Sequence, residues 1–150
     1  MAGRYYEGFT TGEVIKHATR RTVTETDNVL FTTMTMNPAA IHLDAEYCEG
    51  TEFGKPLVNS IFTLGLVIGL SVGDTTLGTT VGNLGMEMTT FPKPVFHGDT
   101  IRVETEVVDM RESKSRPTQG IVTFVNRGYN QRSELVCETR RLALMMKEPA

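Results

Sequence analysis

The sequence predicts an α+β fold in which a curved antiparallel sheet wraps around one long central helix. The first observation is a single strongly apolar run, "IFTLGLVIGLSV" at residues 61–72. The second is that the segments after residue 79 show the alternation and the turn residues of β-strands. The third is the length of 150 residues, which suits one domain with a full core and contains no repeat or linker. We therefore expect residues 1–150 to form a single domain.

The composition is that of an ordinary globular protein, with 39% hydrophobic and 22% charged residues. The net charge of −3 gives no reason to expect nucleic acid or an anionic membrane as the main partner. Cys48 and Cys137 match no metal-binding spacing and are too few for a disulfide framework, so we expect two spare thiols in a reducing compartment. The first residues contain no apolar segment of the kind found in secretory signals. These observations favour a cytoplasmic protein.

The apolar run predicts a buried helix from about Leu57 to Val72. The run itself falls short of the ~20 residues that a membrane-spanning helix needs. Gly65, Gly69 and Gly73 recur every four residues, which places them on one face of the helix. Because small residues allow close approach, we expect this face to pack against the sheet.

Two shorter elements are expected before the central helix. Residues 14–18 suit a first strand, and residues 22–34, "TVTETDNVLFTTM", predict a helix. Thr24 is the expected N-cap, with the acidic residues Glu25 and Asp27 in the first turn. The apolar stripe of this helix is expected to consist of Val29, Leu30 and Met34.

Strands are expected after the central helix at residues 79–91, 99–110, 119–130 and 134–146. The second of these has the clearest alternation, and the residues expected on one of its faces are Ile101, Val103, Thr105 and Val107. A group of methionines is expected mostly to fill gaps in the core, with the alternative that part of the group lines an acyl pocket, namely Met34, Met36, Met86, Met88, Met145 and Met146.

The segment "MTMNPAAIHLD", residues 34–44, contains the strongest candidates for chemistry, Asn37 and His42. A separation of five residues turns two side chains roughly 140° apart on a helix, and to opposite faces on a strand. An irregular turn is therefore needed if both residues act on one substrate. The alternatives are that Asn-Pro simply begins a turn and that His42 is a hydrogen-bonded loop histidine.

Three segments carry a resemblance to a known family. Residues 37–66, "NPAAIHLDAEYCEGTEFGKPLVNSIFTLGL", resemble the MaoC-like (R)-specific enoyl-CoA hydratases of the hot-dog fold. The motif of that family has an acid five residues before a histidine, then a [FY]-G-x-P-[IL]-V segment and a buried helix. Residues 91–108 are similar to the family's P-V-x-x-G-D-T strand entry, and residues 111–131, with "SKSRPTQGIVT", resemble the branch that includes mesaconyl-CoA hydratases. The resemblance covers about residues 5–146.

The resemblance implies a hydro-lyase that reversibly hydrates a trans-2-enoyl-CoA to a 3-hydroxyacyl-CoA. The implied acyl group is short and branched or dicarboxylic, of the mesaconyl-CoA or itaconyl-CoA type. A homodimer or a higher homo-oligomer of dimers is implied, with no cofactor beyond the coenzyme A of the substrate. His42 would be the general base and acid, because imidazole suits proton transfer near neutral pH. The backbone N–H of Ser60 would bind the thioester oxyanion at the start of the central helix.

The candidate site departs from the family pattern at two places. Asn37 stands where the family usually has Asp, and an amide can orient a water but cannot act as a base. In an alternative register anchored on Asn-Pro, Thr35 takes the position of the acid and Ala39-Ala40 is an insertion. We favour the first register because it requires no insertion. Asn59-Ser60 replaces the usual His-Gly pair, and Asn59 is expected to contact the substrate.

A basic run lies in the third segment of the resemblance, at Arg111, Lys114 and Arg116. We expect it to bind the phosphates of coenzyme A or a second carboxylate on the acyl group. The alternative is a solvated charged face without a ligand.

Two other functions remain open at this point. A non-catalytic acyl-CoA-binding subunit would pair with a catalytic partner, because the usual acid is replaced by Asn37. A hot-dog thioesterase is disfavoured, since it needs a carboxylate on or near the central helix and residues 57–72 contain none.

Overall fold

The computed structural model describes residues 3–149, which contain four α-helices and six strands. The helices are α1 (Glu25–Met34), α2 (Ala40–Leu43), α3 (Ala45–Glu49) and α4 (Ser60–Thr75). The strands are β1 (Val14–Lys16), β2 (Arg21–Thr22), β3 (Thr80–Thr90), β4 (Thr100–Glu112), β5 (Gln119–Tyr129) and β6 (Leu135–Met146). The predicted first strand, first helix and last four strands are confirmed. By contrast, β2, α2 and α3 were missed because they are too short to show a periodic pattern.

The strands form an antiparallel sheet on which α4 packs. The main order is β1-β4-β5-β6-β3, and β2 pairs with the start of β4. Helix α4 lies against β4, β5 and β6, so closely that a Cβ built on Gly128 would be 2.4 Å from Val67 Cγ2. The predicted face of β4 is buried at Ile101, Val103, Thr105 and Val107. The predicted α+β fold, with an antiparallel sheet around a central helix, is confirmed.

The central helix α4 (Ser60–Thr75) begins and ends later than expected. Leu57 and Val58 are extended instead, because Leu57 forms an antiparallel bridge with Phe96 and Val58 N–H donates to Val95 O at 2.9 Å. Asn59 then caps the helix, and its Oδ1 accepts a backbone N–H of the first turn at 3.0 Å. No helix within residues 3–149 has the length and apolar character needed to cross a membrane.

The glycine face of α4 points away from the sheet. Gly65, Gly69 and Gly73 are exposed, and nothing lies within 4 Å of a Cβ built on any of them. The buried residues of the helix are Thr63, Val67, Ser71 and Thr75. The prediction that the glycines pack on the sheet is wrong, because a spacing of four residues defines a face without identifying what that face meets.

The buried face of α1 is polar. The helix begins as predicted, with a capping box in which the Thr24 side chain and the Asp27 side chain each accept the other residue's backbone N–H. Its buried residues are Asn28 and Thr32, whereas the predicted apolar stripe is exposed at Val29, Leu30 and Met34. The stripe faces outward because the surface beneath α1 contains backbone N–H and carbonyl groups that an apolar side chain could not satisfy.

Edge strand β3 also exposes its apolar residues. Four of them are on the surface, Val81, Leu84, Met86 and Met88. Of the six methionines assigned to the core, only Met145 is buried, and the prediction is wrong for Met34, Met36, Met86, Met88 and Met146. Methionine fits a core and an exposed contact surface equally well, so its presence does not distinguish the two.

The two thiols are free and buried, as expected of spare cysteines. Burial raises the pKa of Cys137 to about 11, so its thiol stays protonated at neutral pH. The Cys48 thiol lies near the site, and its Sγ donates to the carbonyl oxygen of Ile41 at 3.2 Å.

We expect Gly128→Ala to lower the free energy of unfolding by about 1–3 kcal/mol, because the added methyl group overlaps Val67 of α4. Urea denaturation measures the change. Gly69→Ala is the control, since its Cβ meets nothing and alanine favours a helix by up to ~1 kcal/mol. Equal stability of Gly128→Ala and wild type would show that α4 does not pack on β5 this closely.

Candidate active site

His42 lies in the single-turn helix α2, between α1 and α4. Its Nδ1 is 2.7 Å from the carbonyl oxygen of Leu57. A carbonyl oxygen only accepts hydrogen bonds, so Nδ1 carries the hydrogen and Nε2 keeps its lone pair. His42 is therefore hydrogen-bonded, as the loop alternative held, and also has the unprotonated nitrogen that a general base needs.

The start of α4 is linked to His42 through Leu57. Ser60 is the first residue of the helix, where backbone N–H groups lack acceptors within the helix and the positive end of the helix dipole lies. Ser60 and Leu57 both line a cavity of about 210 Å³, with Lys93 as a cation among the lining residues. Most of the other lining residues are apolar and include Phe53, Val58, Val95 and Val136.

Asn37 forms the turn that joins α1 to α2. Its Oδ1 accepts from Ala39 N–H at 3.0 Å, and its own N–H donates to Thr32 O at 3.0 Å. The carbonyl of Ala39 in turn accepts from His42 N–H at 3.1 Å. Asn-Pro therefore begins an irregular turn between α1 and α2, as the turn alternative held. Within residues 3–149 no hydrogen bond joins the side chains of Asn37 and His42. A role for the Asn37 amide in holding water therefore stays a prediction.

Asn59 is buried, and its polar atoms are used inside the protein. While Oδ1 caps α4, Nδ2 donates to Thr32 Oγ1 at 3.3 Å, and the backbone N–H donates to Asn28 Oδ1 at 2.9 Å. These contacts give Asn59 a structural role at the start of the helix. The expected contact between Asn59 and a substrate stays a prediction.

The basic run lies far from the other predicted site residues within one chain. Arg111 is near the end of β4, and Lys114 and Arg116 lie in the hairpin that follows. Ile101, at the other end of β4, packs with Val58 just before α4. At ~3.3 Å per residue, roughly 30 Å of strand separates the two ends. A role for the basic run in binding substrate stays a prediction.

Sequence reasoning missed several residues around His42. Asn28 and Thr32 project from α1 toward the start of α4, and His97 places its Nε2 3.0 Å from Asn28 Nδ2. Lys93 lies on the cavity. A polar pair four residues apart on an amphipathic helix looks like a solvated face, so no sequence pattern indicates that this pair is buried.

A family model described as a MaoC like domain matches residues 8–127. This chain belongs to the MaoC-like domain family. The matched range contains all four helices and every predicted site residue from Asn37 to Arg116. The resemblance of the motif segments is thereby confirmed.

Two individual relatives are similar to this MaoC-like domain over nearly its whole length. It is 33% identical over 146 residues to a mesaconyl-CoA hydratase of Cereibacter sphaeroides, a match that covers 97% of this chain and 42% of that protein. The chain therefore spans about two fifths of the length of that relative. A monoamine oxidase regulatory protein of Archaeoglobus fulgius has a TM-score of 0.86 and 32% identity, over 99% of this chain and 98% of its own.

A solved structure with lower sequence identity has the same fold. A Mycobacterium tuberculosis protein with a double hot-dog fold matches the MaoC-like domain with a TM-score of 0.86 and 23% identity. The match covers 98% of this chain and 45% of that one. The predicted hot-dog fold is confirmed.

We expect Asn59→Ala to lower the free energy of unfolding by about 1–2 kcal/mol, because the cap of α4 and the bond to Thr32 are both lost. Urea denaturation again measures the change. Asn59→Asp keeps an oxygen that caps the helix and should lose less. A larger loss in Asn59→Asp than in Asn59→Ala would contradict the capping role.

Proposed function

We propose that this MaoC-like domain is a hydro-lyase that reversibly hydrates a trans-2-enoyl-CoA to a 3-hydroxyacyl-CoA. The observation that carries the proposal is the hydrogen bond from His42 Nδ1 to Leu57 O, which leaves Nε2 of the neutral ring with its lone pair and joins His42 to the backbone that leads into Ser60. The Cereibacter sphaeroides relative, a mesaconyl-CoA hydratase more than twice as long as this chain, supports the reaction class.

In the proposed reaction, His42 Nε2 takes a proton from water while the water oxygen bonds to the β-carbon of the enoyl group. The electron pair of the carbon–carbon double bond moves toward the thioester, whose oxygen becomes negatively charged. Ser60 N–H donates to that oxygen at the positive end of the α4 dipole. The imidazolium then gives its proton to the α-carbon, which restores the neutral thioester and the free base. The Asn37 amide holds the water, and neither a metal nor an organic cofactor takes part.

The cavity at Ser60 supports a short acyl group. Its volume of about 210 Å³ is smaller than the ~300–1,000 Å³ of pockets for drug-sized ligands, and its lining is mainly apolar. We propose a branched or dicarboxylic acyl chain of the mesaconyl-CoA or itaconyl-CoA type, with Lys93 available to a carboxylate or a phosphate.

Because Cys48 and Cys137 are unpaired, we also propose a cytoplasmic location.

We also propose that two copies pair through β3 to form a homodimer. Strand β3 is at the edge of the sheet, so one side of its backbone has no strand partner within residues 3–149. It carries exposed apolar side chains, and such an edge readily pairs with the same edge of a second copy about a twofold axis. The mesaconyl-CoA hydratase relative is more than twice as long as this chain, which leaves room for a second such domain in one polypeptide.

A non-catalytic acyl-CoA-binding subunit is the second candidate. Asn37 favours it, since an amide cannot take a proton and its Oδ1 is already used by Ala39 N–H. A thioesterase has less support, because the one carboxylate of α4, Asp74, lies at the far end of the helix from Ser60. Asp74 is bonded there to His17 Nδ1 at 2.9 Å.

We expect the wild-type protein to hydrate short branched or dicarboxylic enoyl-CoA esters. His42→Ala should lower kcat by about 10²–10⁴-fold, because the general base is lost. The decay of the absorbance of the conjugated thioester measures the rate over a panel of esters, and circular dichroism checks that the variant is folded.

Asn37→Asp is the matched variant in the same assay. A carboxylate can also accept the Ala39 N–H bond and hold a water, so we expect kcat at least equal to that of wild type. Turnover that survives His42→Ala would contradict the catalytic assignment. A wild-type protein that turns over no ester would favour the binding subunit.

For the dimer, we expect Leu84→Asp to produce monomers, because a charge would be buried where β3 meets its copy. Sedimentation velocity measures the mass in solution. Val14→Asp is the control, since Val14 is equally exposed but lies on β1, at the opposite edge of the sheet. Monomeric wild-type protein would rule out the pairing.

A further inference from the structure

We propose that Asn28 is a positioning residue for the hydration reaction. Its single side-chain amide fixes both the acceptor of the His42 hydrogen bond and the backbone that leads into Ser60. The inference rests on the proposed function and adds a residue outside the motif. Asn28 lies in α1 and is completely buried, with 0% of its surface exposed.

Asn28 contacts the histidine through a shared acceptor. Its Nδ2 lies 3.1 Å from Leu57 O and 3.2 Å from His42 O. Leu57 O also accepts the hydrogen of His42 Nδ1 at 2.7 Å. A carbonyl oxygen has two lone pairs, so both donors can bind it at once. The bond from Asn28 therefore holds the oxygen that determines which nitrogen of His42 is the base.

The other end of the same amide fixes the start of α4. Asn28 Oδ1 accepts from Asn59 N–H at 2.9 Å, and Asn59 immediately precedes Ser60. An amide has donors at one end and an acceptor at the other, so one orientation satisfies the two carbonyl oxygens and the N–H together. Asn28 therefore sets the position of the base relative to the proposed oxyanion donor.

Thr32 continues the polar face one turn later. Its Oγ1 accepts from Asn59 Nδ2 at 3.3 Å, and its carbonyl oxygen accepts from Asn37 N–H at 3.0 Å. The buried face of α1 thus contacts the turn at Asn37, the residue His42 and the segment before α4. The capping box at Thr24 fixes where α1 itself begins.

His97 lies against the same amide. Its Nε2 is 3.0 Å from Asn28 Nδ2 and can accept from it when Nε2 carries no hydrogen, so the two hydrogens of Nδ2 are then shared among three neighbouring acceptors. Every polar atom of Asn28 therefore has a partner in a site with no exposed surface. A side chain without the amide would remove this partner from His42 O and from Asn59 N–H and would leave Leu57 O with His42 Nδ1 alone, and these groups would shift to find others.

Asn28→Ala tests the proposal by steady-state kinetics on the best enoyl-CoA ester. We expect kcat to fall about 10–100-fold with little change in KM, because misplaced catalytic groups slow the reaction more than they weaken binding. Asn126→Ala is the matched control. Asn126 is equally buried, and it donates to Thr105 Oγ1 at 2.7 Å within the sheet. We expect this control to lose stability but to keep the wild-type kcat.

Nitrogen-15 NMR of His42 gives a readout that does not depend on turnover. We expect wild-type His42 to be protonated at Nδ1, and Asn28→Ala to show a mixture of the two neutral tautomers. Asn28→Asp replaces the alanine variant if that variant does not fold. A carboxylate still accepts from Asn59 N–H but has no hydrogen to donate to Leu57 O, so kcat should fall here too.

Three outcomes would overturn the proposal. They are wild-type kcat in a folded Asn28 variant, an equal loss of kcat in Asn126→Ala, and an unchanged Nδ1-protonated His42 in both Asn28 variants. A wild-type protein without turnover on any ester would contradict the proposed function instead. The tautomer of His42 would still decide the role of Asn28 in that case.

Discussion

The geometry of the site depends on the carbonyl oxygen of Leu57. This oxygen accepts from His42 Nδ1 at 2.7 Å and from Asn28 Nδ2 at 3.1 Å, while Leu57 bridges to Phe96 at the entry to β4. One backbone residue thereby connects α1, α2, the sheet and the segment before α4. If Leu57 were helical, its carbonyl would bond along the helix axis and His42 would lose its acceptor. The start of α4 at Ser60 is therefore required by the site.

The parts of the fold that could be predicted are those whose signals are local. The alternation of β4 identified its buried face, and Thr24 marked the start of α1 because a cap and its partner lie three residues apart. The exposed apolar stripe of α1 and the exposed glycine face of α4 could not be predicted. A periodic pattern shows that residues share a face, but the partner of that face can be another part of the chain, another molecule or solvent.

The site was predictable only where its residues are continuous in sequence. Asn37, His42 and Ser60 lie in one segment, and a motif can be recognised there. Asn28 lies 14 residues before His42 and 31 before Asn59, and no local feature separates it from an exposed polar residue. Its burial follows from the backbone groups beneath α1, which require a polar partner. The same packing turns the apolar stripe of α1 outward.

Because the Asn37 amide cannot carry a proton, the proposed reaction uses a single nitrogen, His42 Nε2, for both of its proton transfers. This nitrogen takes a proton from water and gives one to the α-carbon. The hydrogen bond from Nδ1 to Leu57 O meanwhile prevents the imidazole ring from flipping. Because the ring stays on one side of the planar enoyl group, the water oxygen and the returned proton must reach the double bond from the same face. A carboxylate at position 37 would offer a second proton carrier. In the proposed reaction Asn37 provides no such carrier and the base stays in place, so the stereochemical course would follow from His42 and from the residues that hold it, Leu57 and Asn28.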